Sequence, residues 1–157
     1  MNIFSQITKH FWMLCIVVMS VNALVFKMRS RKYIQENPDL EEGYSTLTRG
    51  FLIWGNIPWL VMGIGVTFGD IDSIYYYFRP QDGNPYVQAF FVSVFLIWLL
   101  GTYWLLFRDG AEMLIKHPGF FRTRLESPWM IKVYWTLCLV GGIVGVVMMY
   151  RQDVQVP

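Results

Sequence analysis

Residues 51–68, from Phe51 to Phe68, read FLIWGNIPWLVMGIGVTF and hold no charged side chain. A helix needs about 20 residues, each rising roughly 1.5 Å, to cross a hydrocarbon core of about 30 Å. Three more runs are as free of charge: Phe11–Phe26, Gln88–Phe107 and Val133–Tyr150. With their apolar neighbours they predict spans over 7–26, 51–69, 86–108 and 130–151. The 157-residue chain is 55% hydrophobic and 18% aromatic, more than a water-soluble domain of this length carries. In lipid every backbone polar group must be satisfied within the protein, and four segments are too few to close a barrel. The expected fold class is therefore an all-α integral membrane protein, a four-transmembrane-helix bundle forming one domain over 1–157.

The first span has some features of a cleavable signal, because Lys9 precedes it and Val21-Asn22-Ala23 has small residues at a cleavage-like spacing. The cations Lys27, Arg29, Arg31 and Lys32 follow at once and resist translocation, so an uncleaved span is expected. Loop charge then orients the bundle. Lys27, Arg29, Arg31, Lys32 and Arg49 flank spans one and two, and Arg108, Lys116, Arg122, Arg124 and Lys132 lie between spans three and four. Only Lys9, Arg79 and Arg151 fall on the opposite side, a bias of ten to three. Both termini and the 69–86 loop are thus expected on the non-cytoplasmic side of a plasma or bacterial inner membrane. The net charge of +2 follows from this asymmetry and calls for anionic lipid headgroups as partners, with no nucleic acid.

Asn37-Pro38, Asn84-Pro85 and Ser127-Pro128 each set a capping side chain before a proline, which marks a helix start. Helix two is expected to begin near Pro38 and to enter the membrane unbroken. Helix three is expected to continue through Ala111–Lys116 until His117-Pro118-Gly119 stops it, giving cytoplasmic helical extensions. Arg79–Pro85 is turn chemistry, and Tyr75, Tyr76, Tyr77 and Phe78 resemble an interfacial aromatic belt.

At 100° per residue Asn56, Leu60, Gly63, Thr67 and Asp70 share one face of span two, with Pro58 behind it as a source of bend. Cys15, Val18, Asn22 and Phe26 share a face of span one, Ser93, Ile97 and Gly101 one of span three, and Tyr134, Cys138, Gly141, Gly145 and Met148 one of span four. Asn22 and Asn56 lie at similar depth, about 7–11 Å inside the basic boundary, within reach of a hydrogen bond across the first hairpin. Gly63 and Gly65 lie level with Gly145, where small residues allow two helices to approach. The candidate intramembrane polar and packing site is therefore Asn22, Asn56, Pro58, Gly63, Thr67, Gly141 and Gly145.

Catalytic signatures are missing from this sequence. No Asp, Glu, Lys, Arg or His falls in an apolar core, where proton relays and coupled carriers place them. His10 and His117 fall at opposite ends, which disfavours a shared haem, and Cys15 and Cys138 lie too far apart in depth for a disulfide. Asp70 and Asp72, near Asp82 and Asn84, form a weak oxygen-rich candidate for an outer-loop cation. Glu112 and Lys116 have the favourable order for an i,i+4 pair. No cofactor is implied. The expected role is a non-catalytic subunit, scaffold or assembly partner that contacts lipids and another membrane protein or its own copies. The alternative is an oligomeric channel or carrier for a neutral solute along the Asn22–Asn56–Gly63–Thr67 face.

Overall fold

A computed structural model describes residues 3–120 and 127–151. It contains helices α1 (Ile3–Lys9), α2 (Phe11–Glu36), α3 (Glu41–Phe68), α4 (Pro85–Phe107), α5 (Gly110–Lys116) and α6 (Pro128–Arg151). Short 3-10 turns occupy Pro38–Leu40, Ile74–Phe78 and Pro80–Asp82, and no strand occurs among the described residues. Helices α2, α3, α4 and α6 are each long and apolar enough to cross a membrane. The chain is an all-α, multi-pass membrane bundle.

Capping chemistry sets two of the starts. The Asn84 side-chain oxygen accepts from the backbone N–H groups of Tyr86 (2.9 Å) and Val87 (3.4 Å), with Pro85 in the first turn. Asn37 accepts from Asp39 N–H at 3.2 Å, and the chain makes one 3-10 turn before α3 continues through Pro58 to Phe68. The opening of α6 at Pro128 agrees with the Ser127-Pro128 signal, while residues 121–126, with Arg122 and Arg124, lie outside the described set.

Two helices differ from expectation. The first span is not one helix: α1 ends at Lys9 and α2 begins at Phe11, and His10 between them leaves the helical backbone (φ −100°, ψ 14°) with its ring Nδ1 on the Gln6 carbonyl at 2.9 Å. Helix α2 then runs on to Glu36, so Lys27–Lys32 stand on a helical stalk and not in a loop. Helix three does not continue to Lys116. It stops at Phe107, Asp109 takes a left-handed backbone (φ 54°), and α5 is a separate helix. Trp104 folds over Gly110 so closely that a Cβ there would lie 2.6 Å from the indole Cδ2. The bare glycine lets the chain turn under that ring and aim Ala111 and Leu114 into the interior.

Helix α3 is central, against α2 on one side and α4 on the other, and α6 packs on α4 and α5. Burial follows that order: 22% of the most apolar window of α3 is buried, against 6% for α6. Two small cores close the ends. At the basic end Phe26, Tyr44, Leu47, Leu105, Ala111, Leu114 and Ile131 meet; at the far end Met62, Ile71, Tyr77, Val87 and Phe91 do.

Hydrocarbon solvates leucine as well as another helix does, so contact between spans relies on close van der Waals packing, which small residues permit. Here glycines receive large side chains from neighbouring helices. Trp12 of α2 lies on Gly63 of α3, where a Cβ would sit 2.7 Å from its ring, and Met19 lies on Gly55. Between α4 and α6 the exchange is reciprocal: Trp98 covers Gly142, and Trp135 covers Gly101. Trp135 also donates its indole N–H to the Thr102 hydroxyl at 3.0 Å.

The expected approach of Gly63 and Gly65 to Gly145 does not occur. Trp12 fills the space at Gly63, the Tyr77 and Tyr86 side chains fill that at Gly65, and Gly145 faces open space. Gly142→Ala should therefore cost about 1–3 kcal/mol by overpacking against Trp98. Gly141→Ala, with nothing within 4 Å, should gain up to about 1 kcal/mol of helix propensity. Thermal unfolding of the two variants in detergent checks the opposite signs.

Candidate functional site

Most polar side chains within the helices bond their own backbone. Asn56 Nδ2 donates to Leu52 C=O (2.7 Å), Thr67 to Gly63 C=O (2.7 Å), Ser93 to Phe90 C=O (2.7 Å) and Thr102 to Trp98 C=O (2.6 Å). Ser30, Thr48 and Thr136 do the same near helix ends. A hydroxyl or amide in lipid loses water as a partner, and the carbonyl three or four residues back is the nearest replacement. Asn56 is 8% exposed, and its Oδ1 is buried without a hydrogen-bond partner.

The predicted polar face is consequently divided. Asn56 and Gly63 are buried, Pro58 is half-buried, and Leu60, Thr67 and Asp70 are exposed. Asn22 is also exposed and makes no hydrogen bond to Asn56, whose amide is already engaged with Leu52. The buried side of α2 instead carries Ala23, Phe26 and Ser30, with Cys15 half-buried. Asn22, Asn56, Gly63 and Thr67 thus do not line one inward path. On α6, Tyr134, Cys138, Gly141 and Met148 are exposed, and neither Gly141 nor Gly145 has an atom within 4 Å of its Cβ position. This strip, read from sequence as a packing face, is not packed within the bundle.

The far-end loop folds inward over the bundle. Tyr77 leaves the expected aromatic belt and becomes 3% exposed, donating its hydroxyl to the Met62 carbonyl at 3.0 Å. Burial pushes its phenol pKa up to about 12. Asp72 pairs with Lys9 at 3.1 Å and Asp82 with Arg79 at 3.0 Å, while Asp70 is exposed on a left-handed backbone. Among the described residues no three His, Cys, Asp or Glu side chains gather where they could hold a metal, and of the two acids considered from sequence Asp72 is engaged with Lys9.

At the basic end Gly43 receives the His117 imidazole, which lies closer than any Cβ would allow. His117 is 4% exposed; its Nδ1 contacts Met113 C=O at 2.7 Å, which defines that nitrogen as the donor, and its ring stands edge-on to Tyr44 at 4.9 Å. Tyr44 donates to the Pro118 carbonyl at 2.8 Å. His117-Pro118-Gly119, read from sequence as a helix stop, is therefore also the clasp that fastens α5 to α3. Glu112 pairs with Lys132 of α6 at 3.0 Å and not with Lys116, and that hydrogen bond holds its carboxyl below the usual range.

The clasp closes one side of a groove of about 310 Å³ lined by Asn22, Val25, Phe26, Arg29, Phe51, Gly119 and Phe120. Phe120 stands edge-on to both Phe26 (5.0 Å) and Phe51 (5.7 Å), which makes an aromatic floor. Sequence reading missed this groove. Its trace was the i, i+4, i+7 spacing of Asn22, Phe26 and Arg29, but Phe120 comes from a distant turn with no periodic signal. In comparisons with protein families, characterised proteins and solved structures, the chain matches none.

The raised Tyr77 value gives a pH prediction. Its folded pKa lies above the ordinary value of 10.0, so its contribution is fully present below pH 10 and is lost as pH rises towards about 12. Tyr77→Phe should cost about 1 kcal/mol at neutral pH through loss of the bond to Met62. It should also flatten the alkaline fall of the melting temperature, and an absorbance titration at 295 nm should lose one late-ionising phenol.

Proposed function

We propose that the chain is a small non-catalytic membrane component that acts as a subunit, scaffold or assembly partner, and that it joins another transmembrane helix through the outer face of α6. The observation that carries this reading is the open pair Gly141 and Gly145. Five other glycines, Gly55, Gly63, Gly65, Gly101 and Gly142, are already covered by a side chain from another element. Gly141 and Gly145 have the spacing that lets two helices approach closely, and the bundle itself leaves them uncovered. Cys138 and Met148 extend the same exposed strip. The partner is another membrane protein or a second copy. In this reading both termini lie on the non-cytoplasmic side, and the basic stalks of α2 and α5 face the cytoplasm of a plasma or bacterial inner membrane.

The solute-path alternative is not carried forward, because no observation favours a continuous lining along Asn22, Asn56, Gly63 and Thr67. Cys138 supplies a direct test of assembly. Mild oxidation in native membranes, or a short thiol-reactive crosslinker, should join this exposed cysteine to the partner across the α6 face. Gly145→Leu should reduce the adduct at least about tenfold while leaving the folded chain intact, since the side chain would stand in the contact. An adduct at twice the chain mass identifies a second copy, and another mass identifies a different protein. Adduct formation unchanged by Gly145→Leu, or its absence from the native protein, would contradict the proposal.

A further inference from the structure

The groove at the basic end combines three properties. Three phenylalanines and Val25 line it beside Asn22 and Arg29, those two polar side chains have no hydrogen-bond or ion-pair partner among the described residues, and it runs from the uncharged stretch that ends at Phe26 into the basic stretch that begins at Lys27. Asn22, Phe26 and Arg29 follow one another at i, i+4 and i+7 on a single face of α2, so Arg29 stands about 10 Å along the axis from Asn22. Phe51 of α3 and Phe120 of the clasp turn provide the opposite wall and floor.

Gly119 holds that turn in place. Its backbone has φ 97°, a conformation that favours glycine, and a Cβ added there would lie 3.2 Å from the Tyr33 ring and 4.0 Å from the Arg29 Cβ. Neither polar side chain is engaged by another of the described residues. The ion pairs made among the described residues are Lys9–Asp72, Arg79–Asp82 and Lys132–Glu112, none of which includes Arg29. Arg29 and Asn22 are both exposed to whatever fills the groove.

We propose that the groove is a binding site for one anionic glycerophospholipid. The Arg29 guanidinium holds the phosphate, the Asn22 amide meets the ester region below it, and the Phe26–Phe120–Phe51 floor carries the start of an acyl chain. Arginine presents several N–H donors in a fixed planar fork that suits phosphate oxygens. A volume of about 310 Å³ accommodates a headgroup and the first carbons of a chain, not a whole lipid. The rest of the chain continues along the exposed α2 surface past Val18, which lies one turn deeper and is 48% exposed. A free soluble phosphate satisfies only the Arg29 end and leaves the aromatic floor bare, so the geometry favours a lipid.

The test uses the full chain in a mild detergent, titrated with palmitoyl-oleoyl phosphatidylglycerol or with the phosphatidylcholine of the same chains. Native mass spectrometry counts the lipids retained. The native protein should keep one phosphatidylglycerol at concentrations where phosphatidylcholine is lost. Arg29→Gln should weaken that retention about fivefold, the effect of one cation near the headgroup layer. Arg31→Gln removes the same charge about 200° round the helix and should leave retention as it was. Millimolar inorganic phosphate should not displace the lipid. Equal retention of the two lipids, equal loss in both variants, no loss in Arg29→Gln, or displacement by phosphate alone would each overturn the proposal.

Discussion

Packing large side chains onto glycine is the interaction on which this bundle depends. In water, burial of apolar area would draw the helices together; in hydrocarbon that term almost vanishes, and short-range dispersion has to hold them. Dispersion weakens quickly with separation, so backbones must approach, and a bare Cα is the simplest way to let a ring lie against a neighbouring helix. Trp12 on Gly63 joins α2 to α3, and the exchanged pair Trp98–Gly142 and Trp135–Gly101 joins α4 to α6. His117 on Gly43 does the same for the turn that closes the basic end. Where no ring arrives, at Gly141 and Gly145, the bundle presents a surface of the same kind with no occupant of its own.

Self-satisfied polar groups are the second constraint. A serine, threonine or asparagine that bonds to the carbonyl three or four residues back is stable in lipid without help from another helix. Thr67, Ser93 and Thr102 do so, and Asn56 does so through its Nδ2 while its Oδ1 stays buried without a partner. Their presence in a span is therefore weak evidence for a path or an active site. The polar features open to a ligand or a partner lie instead at the basic end, where Asn22 and Arg29 flank the aromatic groove.

The all-α class and the four long apolar helices were legible because length and uncharged runs are dictated by the bilayer, whatever the tertiary contacts. Capping at Asn37 and Asn84 was legible for a similar reason, since each cap acts within a few residues. The faces were legible in part. Periodicity grouped Tyr134, Cys138, Gly141, Gly145 and Met148 on one strip of α6, yet in lipid a small-residue strip and a leucine-rich strip can each face either way, so inward and outward could not be separated. The Asn22–Asn56 contact failed because a local carbonyl at Leu52 competes better for an amide than a side chain on another helix. The break at Asp109, the inward turn of Tyr77 and the place of Phe120 depend on contacts between distant segments, which carry no local pattern.

The central claim is that glycines covered by rings hold the bundle together, whereas Gly141 and Gly145 hold it to something else. The most direct measurement is the protein mass of the particle released by mild extraction, for the native chain and for Gly145→Leu. The account predicts a native particle heavier than one 18.5 kDa chain, reduced to a single folded chain by the substitution. A native particle containing only one chain, or a variant that keeps the additional protein mass, would contradict it.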